Sequence, residues 1–204
     1  MKRHSIIAVA ILCFLCSFSL TAQKTDLLEI NLKRHYYNRN GMIILTSWAG
    51  ANIVGGTAAY FATQNKEWKY FQEMNVFWNT VNLGIGIAGL ASAPKNKPTA
   101  SWGLSQSQRA QQKNELVFGL NTGLDALYVG GGLAMRLLAK PNGPAYERLR
   151  GYGTSLLVQG GFLFVFDGIE FILNRRNGRA LYKKNNSLSL APYGLGLSLI
   201  YRFD

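Results

Sequence analysis

Four long stretches of the chain consist almost entirely of apolar and small polar residues. The first two contain no charged side chain, the third contains Asp125 and Arg136, and the fourth contains Asp167 and Glu170. Each is 21 to 24 residues long, the length that a helix needs to cross the hydrocarbon core of a bilayer. The pattern therefore predicts four membrane-spanning helices, at residues 41–64, 74–94, 116–139 and 151–173.

The segments between these stretches predict how the helices are arranged. The first two helices are joined by a short turn, the second and third by the long link "APKNKPTASWGLSQSQ", and the last two by "KPNGP". Ser105 or Ser107 is expected to cap the third helix. Residues 24–40 have the mixed pattern of an amphipathic helix on a membrane surface. We therefore expect an all-α fold, a four-helix transmembrane bundle of two helical hairpins over 41–174, preceded by the amphipathic helix 24–40.

The C-terminal segment, residues 175–204, has a different pattern. A basic linker is followed by residues that are apolar at every second position from Leu195 to Phe203, which indicates a β-strand. Because the last strands of outer-membrane barrels also end in an aromatic residue, a complete β-barrel is an alternative fold. The uncharged stretches argue against it, since they are apolar at consecutive positions, as in "MIIL" and "FLFVF".

Residues 1–22 have the three parts of a secretory signal peptide. A basic N-terminus precedes the apolar run "SIIAVAILCFLCSF", and "SLTAQ" supplies small residues for cleavage near Ala22. An uncleaved membrane anchor is the alternative. Cys13 and Cys16 both lie in this segment, so cleavage would leave no thiol for a disulfide or a metal site. We expect export and residence in a membrane of the cell envelope, either inner or outer.

The net charge of +12 is spread over the segments between the predicted helices. Because an exported chain meets anionic lipid headgroups, we expect these basic residues to contact membrane lipid and not nucleic acid. Their placement conflicts with the export signal. Cleavage would put the long link and the basic tail outside the cytoplasm, whereas the positive-inside rule would keep such basic segments within it.

Polar side chains recur on one face of each predicted span. Asn75, Asn79 and Asn82 are spaced i, i+4, i+7, which puts all three on the same side of a helix. An unpaired amide or carboxyl group is costly in lipid, so these faces should turn toward one another. The same spacing in the other spans extends the predicted polar cluster to Asn52, Asn75, Asn79, Asn82, Asn121, Asp125, Tyr128, Gln159 and Asp167.

This polar cluster has two alternative roles. Its amides and carboxyls either hold the helices together by hydrogen bonds, or form a site for an ion, a proton or a small polar ligand around Asp125 and Asp167. If the second and third spans face one another, Asn79 and Asp125 share hydrogen bonds near mid-depth. Small residues let helices approach closely. Such approaches are expected at Ala51, Gly55, Gly119 and Gly123.

The sequence predicts no catalytic, cofactor-binding or metal-binding residues. "GIGIAG" (84–89) has the spacing of a dinucleotide-binding fingerprint, but no strand precedes it and no acidic residue follows at the required distance. His35 is the one histidine outside the predicted signal peptide. A histidine zinc site or a Ser-His-Asp triad therefore has too few residues to work with.

Four pieces of the chain resemble a known family: "GMIILTSWAGANIVGG", "MNVFWNTVNLGI", "NTGLDALYVGGG" and "GYGTSLLVQGGFLFVFD". The family consists of small exported four-span membrane proteins of Gram-negative bacteria and is catalogued as a domain of unknown function. The resemblance covers about residues 33–174 and rests on Trp48 with Asn52, the asparagines around Trp78, and Asp125 with Tyr128. It implies a helical membrane bundle and no particular activity.

Three functional hypotheses follow. The first is a structural or interaction protein of the cell envelope that contacts membrane lipid and either copies of itself or another envelope protein. The second is a membrane protein that handles a small solute, an ion or a proton through Asp125 and Asp167. The third, an enzyme acting on envelope lipids, has no nucleophile motif to support it.

Overall fold

The computed structural model confirms an all-α fold with four long helices. The structure describes residues 2–183, 189–193 and 196–200, and it describes side-chain surroundings from residue 26 to residue 182. The helices are α1 at Lys2–Ala62, α2 at Lys66–Ser92, α3 at Leu104–Leu138 and α4 at Tyr146–Lys183.

Two short strands follow the helices. β1, Ser189–Tyr193, pairs antiparallel with β2, Gly196–Ile200, and Leu190 lies opposite Leu199. The strand-like tail was expected from Leu195 to Phe203. Of that stretch, Leu195 and residues 201–203 lie outside the described residues.

The amphipathic lead-in and the first predicted span form one helix. No proline interrupts the chain between residues 24 and 64, and α1 runs through residue 40 without a break. Gly41, where we expected the span to begin, packs against α4, and a Cβ atom there would lie 2.6 Å from Oε1 of Glu170. The predicted lead-in helix 24–40 is therefore continuous with the first predicted span, and its place on a membrane surface stays a prediction. The predicted signal peptide belongs to the same helix, and its cleavage stays a prediction.

The other three helices are longer than the uncharged stretches. α2 begins at Lys66, where the side chain of Asn65 accepts a 3.0 Å hydrogen bond from the backbone N–H of Trp68. The N-cap of α3 is Gly103 instead of Ser105 or Ser107. α4 continues ten residues beyond 173, and this continuation packs on α3, where Gly178 lies against Gln111 and Glu115. Charge marks the edge of an apolar stretch but does not end a helix.

The four helices pack as two hairpins, and α4 contacts each of the other three helices. α1 packs along α2, and α3 packs along α4; the hairpins join where α2 and α1 contact α4. The backbones of α2 and α3 do not approach each other anywhere in the described residues. The second and third helices are thus diagonal neighbours, and the condition under which Asn79 and Asp125 would share hydrogen bonds is not met.

The two ends of the bundle contain different connecting segments. Turns 63–65 and 139–145 lie at one end, which we call the short-turn end. The other end, the link end, contains the link 93–103, residues 26–40 of α1 and residues 174–182 of α4.

Glycines set the closest contact between α3 and α4. A Cβ atom on Gly132 would lie 2.6 Å from the backbone oxygen of Gly153, and one on Gly153 would lie 2.6 Å from the backbone oxygen of Gly132. The approaches expected at Gly55 and Gly123 are wrong, because no atom of another element lies within 4 Å of a Cβ there. Ala51 is also exposed. Of these four positions only Gly119 lies against another helix, since a Cβ atom there would lie 3.2 Å from the ring of Phe171.

Alanine at Gly132 should therefore destabilise the bundle, whereas alanine at the adjacent Gly131 should not. The new methyl group meets a backbone oxygen that cannot rotate away, and such overpacking costs about 1–3 kcal/mol. Gly131 is exposed with no atom within 4 Å, so Gly131→Ala should gain up to about 1 kcal/mol from helix propensity. Unfolding in detergent, followed by circular dichroism, measures both. Equal effects of the two variants would show that α3 and α4 do not cross at Gly132.

Polarity is inverted between the interior and the surface of the bundle. Thirteen polar or charged side chains are buried, against eight apolar ones, and 23 large apolar side chains are exposed among the described residues. Two helices, over Asp26–Ala62 and Tyr146–Tyr182, are long and apolar enough to cross a membrane by length and composition. α2 and α3 are long enough, but their mean hydropathy is lower. The buried asparagine, glutamine and aspartate side chains lower it, whereas the outward faces of both helices are apolar.

Candidate functional site: the polar interior

Gln159 of α4 joins three helices through its side-chain amide. Its Oε1 accepts a 2.9 Å hydrogen bond from Nε1 of Trp48, and its Nε2 donates to Oδ1 of Asn75 and, at 3.4 Å, to Oδ1 of Asn52. Gln159 is fully buried. Both groups of the amide are therefore used to connect α4 to α1 and α2. We call Gln159, Trp48, Asn52, Asn75 and Asn79 the amide network.

The asparagines of α2 continue the amide network along one helix face. Asn79 donates from Nδ2 to the backbone oxygen of Asn75 at 2.8 Å and to Oδ1 of Asn75 at 3.1 Å. Asn75 in turn donates to the backbone oxygen of Asn52 at 3.4 Å. Asn75, Asn79 and Asn82 are all buried, and Nδ2 of Asn82 has no hydrogen-bond partner among the described residues.

Two carboxyl groups meet where α3 packs on α4. Asp125 of α3 and Asp167 of α4 are buried, and their carboxyl groups lie close enough to interact electrostatically. Asn121, one turn before Asp125, also interacts with Asp167, although its residue is largely exposed. Two carboxyl groups that meet away from water favour a state in which one of them is protonated. We call Asp125 and Asp167 the acid pair.

Aromatic contacts also join the helices of the bundle. Trp48 stacks on Phe162 with ring centroids 3.9 Å apart, and Trp78 of α2 meets Tyr128 of α3 edge to face at 4.8 Å. Asn79 bonds to Asn75 of its own helix, and the polar neighbour of Asp125 is Asp167 of α4. The hydrogen bond that would join Asn79 and Asp125 if their spans faced one another is absent from the described contacts.

A third polar cluster, at the link end, was not predicted from the sequence. Asn31 of α1 donates to Oγ of Ser107 at 2.7 Å, Arg34 donates to the backbone oxygen of Ser107 at 3.2 Å, and Gln111 of α3 donates to the backbone oxygen of Asn174. All five residues are buried. Ser107, Gln111 and Asn114 have the same i, i+4, i+7 spacing as the asparagines of α2, so the sequence did contain the signal.

The polar interior contains no metal-binding arrangement among the described residues: no three histidine, cysteine, aspartate or glutamate side chains are grouped there. Glu170 lies one turn after Asp167, but its Oε1 faces Gly41 of α1. What the interior offers chemically is therefore a hydrogen-bonded amide network, one pair of neighbouring buried carboxyl groups, and a set of interhelical bonds at the link end.

Comparison with known proteins places the chain in a family. The "Family of unknown function (DUF6992)" matches residues 44–168, which include the amide network and the acid pair, and the chain belongs to that family. The resemblance to a domain of unknown function is thus confirmed. No curated protein and no solved structure matches the chain.

Proposed function

We propose that this member of the DUF6992 family is an integral membrane protein of the cell envelope, exported by its signal peptide, with a structural or interaction role. All four helices of the described bundle would cross the bilayer. The proposal rests above all on the inverted polarity of the bundle, with 23 large apolar side chains exposed and thirteen polar or charged side chains buried.

The inverted surface suits lipid and is unfavourable in water. Soluble monomers rarely expose a continuous apolar patch larger than a few hundred Å². Here exposed apolar residues recur on the outward faces of α2, α3 and α4, for example Phe77, Leu127 and Ile169 at 62%, 70% and 52% exposure. In a bilayer these side chains contact hydrocarbon at no cost, and many of the interior polar groups are hydrogen-bonded to groups of other helices.

The pairing within the interior supports a structural role. Most side-chain bonds of the amide network are made between helices, and interhelical bonds of this kind contribute about 0.6–2 kcal/mol each in membranes. At the link end, α1 and α4 extend beyond the predicted spans and present basic surface. That surface is available to lipid headgroups, to a second copy of the chain or to another envelope protein.

Fractionation tests the membrane proposal directly. When the full chain is produced in a Gram-negative host, we expect it in the membrane fraction, resistant to alkaline carbonate and released by detergent. Carbonate removes proteins held at the surface by charge and leaves helices that cross the hydrocarbon core. Release of the whole chain by carbonate would contradict the proposal.

A second candidate function is proton or cation handling by the acid pair. The observation that favours it is the contact between Asp125 and Asp167, together with an unpartnered Oδ2 atom on Asp125 among the described residues. Two carboxyl groups shielded from water hold a proton that can be exchanged, whereas an amide cannot release one.

The substitution Asp125→Asn separates the two functions. An asparagine still donates to Asp167, so we expect the free energy of unfolding in detergent to change by less than about 0.5 kcal/mol. If the pair handles protons, Asp125→Asn abolishes proton flux into vesicles that contain the purified protein, whereas Glu147→Gln at the short-turn end has no effect. Absence of flux in the wild type would leave the structural role as the function of this pair.

A further inference from the structure

A cavity of about 570 Å³ opens at the link end between α1, the link and α3. Four permanently cationic side chains line it, and none of its described lining residues carries a carboxyl group. We call it the basic cavity. Its cations are Arg34, Arg39, Lys95 and Lys113.

Arg34 is the buried member of this set. It is 4% exposed, it donates from Nη1 to the backbone oxygen of Ser107, and its guanidinium lies 5.6 Å from the ring centroid of Trp102. Burial lowers the pKa of Arg34 to about 10, so the group remains charged at neutral pH. Within the described part of the chain, the salt bridges involve other residues. A buried guanidinium without a carboxylate partner favours an anionic ligand.

His35, the residue after Arg34, lies among the same positive charges. The pKa of His35 is lowered first by burial and then by the charges of Lys97, Arg39 and Arg34. His35 also lines the basic cavity. An anion that enters therefore meets several converging cations.

One wall of the basic cavity is apolar. Met42 of α1, Gly89 of α2, and Val117 and Phe118 of α3 line it, at the point where α2 and α3 stay apart. Val117 is 44% exposed on the outward face of α3. A ligand that fits this cavity has a compact anionic group, which contacts the basic side chains, and a hydrocarbon part, which contacts the apolar wall.

We propose that the basic cavity binds the phosphate group of an anionic phospholipid. Arg34 supplies a planar donor pair for the phosphate oxygens, Lys95 and Lys113 supply point charges at the rim, and the first acyl carbons lie against Met42 and Val117. The choice of a lipid as the source of the phosphate rests on the proposed membrane location; free phosphate is the other source of the same chemistry.

Native mass spectrometry of the full chain in neutral detergent tests this site. The protein is mixed with equal amounts of phosphatidylglycerol and phosphatidylcholine that carry the same acyl chains. We expect about tenfold preferential retention of phosphatidylglycerol, because each cation near a phosphate favours it. Lys95→Gln with Lys113→Gln, both at exposed positions, should reduce that preference about tenfold. Arg109→Gln with Arg176→Gln removes the same charge outside the cavity and should leave it unchanged.

Three results would overturn the inference. One is retention of both lipids alike; a second is the same loss in the control variant, which would mean a diffuse charge effect. The third is binding of inorganic phosphate that depends on Lys95 and Lys113 without any preference for phosphatidylglycerol, which would make free phosphate the ligand. Carbonate extraction reports separately on the membrane proposal, so a chain that stays in the membrane but shows no lipid preference contradicts only this inference.

Discussion

Lysine in place of Leu127 should destabilise the chain in a membrane by about 3–4 kcal/mol. Leu127 is 70% exposed and lies at the centre of the predicted span 116–139. Leucine at that depth favours insertion by about 0.5 kcal/mol, and lysine opposes it by about 2.5–3.5 kcal/mol. Nothing in the described bundle lies over this side chain to compensate. The measurement is the fraction of the full chain that resists carbonate extraction, together with its steady-state amount.

A matched control is Gln112→Lys, which adds the same charge to an exposed position of α3 outside the predicted span. We expect this variant to resemble the wild type within about 0.5 kcal/mol. If Leu127→Lys is tolerated as well as Gln112→Lys, the outward face of α3 contacts water, and α3 does not cross a membrane.

Leucine at Gln159 should cost about 2–3 kcal/mol in detergent unfolding. The change removes the acceptor for Nε1 of Trp48 and the donor to Asn52 and Asn75. Asn75 keeps a partner, because Asn79 also donates to its Oδ1 at 3.1 Å. Nε1 of Trp48 and Oδ1 of Asn52 lose theirs. Both residues are half-buried, and a buried group left without a partner costs about 1–3 kcal/mol, offset in part by the apolar surface that leucine buries.

Two controls separate the hydrogen bonds from packing. Val158→Leu changes the adjacent, exposed position and should be nearly neutral. Trp48→Phe keeps a ring to stack on Phe162 but removes the indole donor, so its combination with Gln159→Leu should cost less than the sum of the two single changes. A strictly additive pair would show that Trp48 and Gln159 do not share a hydrogen bond.

Helix content and helix faces follow from the sequence alone. The uncharged stretches predicted four helices, and the described residues form four. The i, i+4, i+7 spacing put Asn75, Asn79 and Asn82 on one face, and all three are buried. Both results depend on the α-helix period and on hydrogen bonds four residues apart, and those are local properties of the chain.

The ends of the helices depended on contacts between distant segments. α1 passes straight through residue 40 and α4 runs on to Lys183. Gly41 lies against Glu170, and Gly178 lies against Gln111 and Glu115, so the continued turns are held by packing on another helix. No capping signal in the sequence marks such a continuation.

Only the tertiary structure decided which polar residues meet. The sequence identified Asn79, Asp125, Gln159 and Asp167 as inward-facing, but the helix period specifies a face and not the helix that the face will meet. Gly132 and Gly153 let the backbones of α3 and α4 touch, and α2 packs on the other side of α4. Gln159 bonds to α1 and α2, and Asp125 lies next to Asp167, because the packing of α4 against each of these helices brings their polar side chains together.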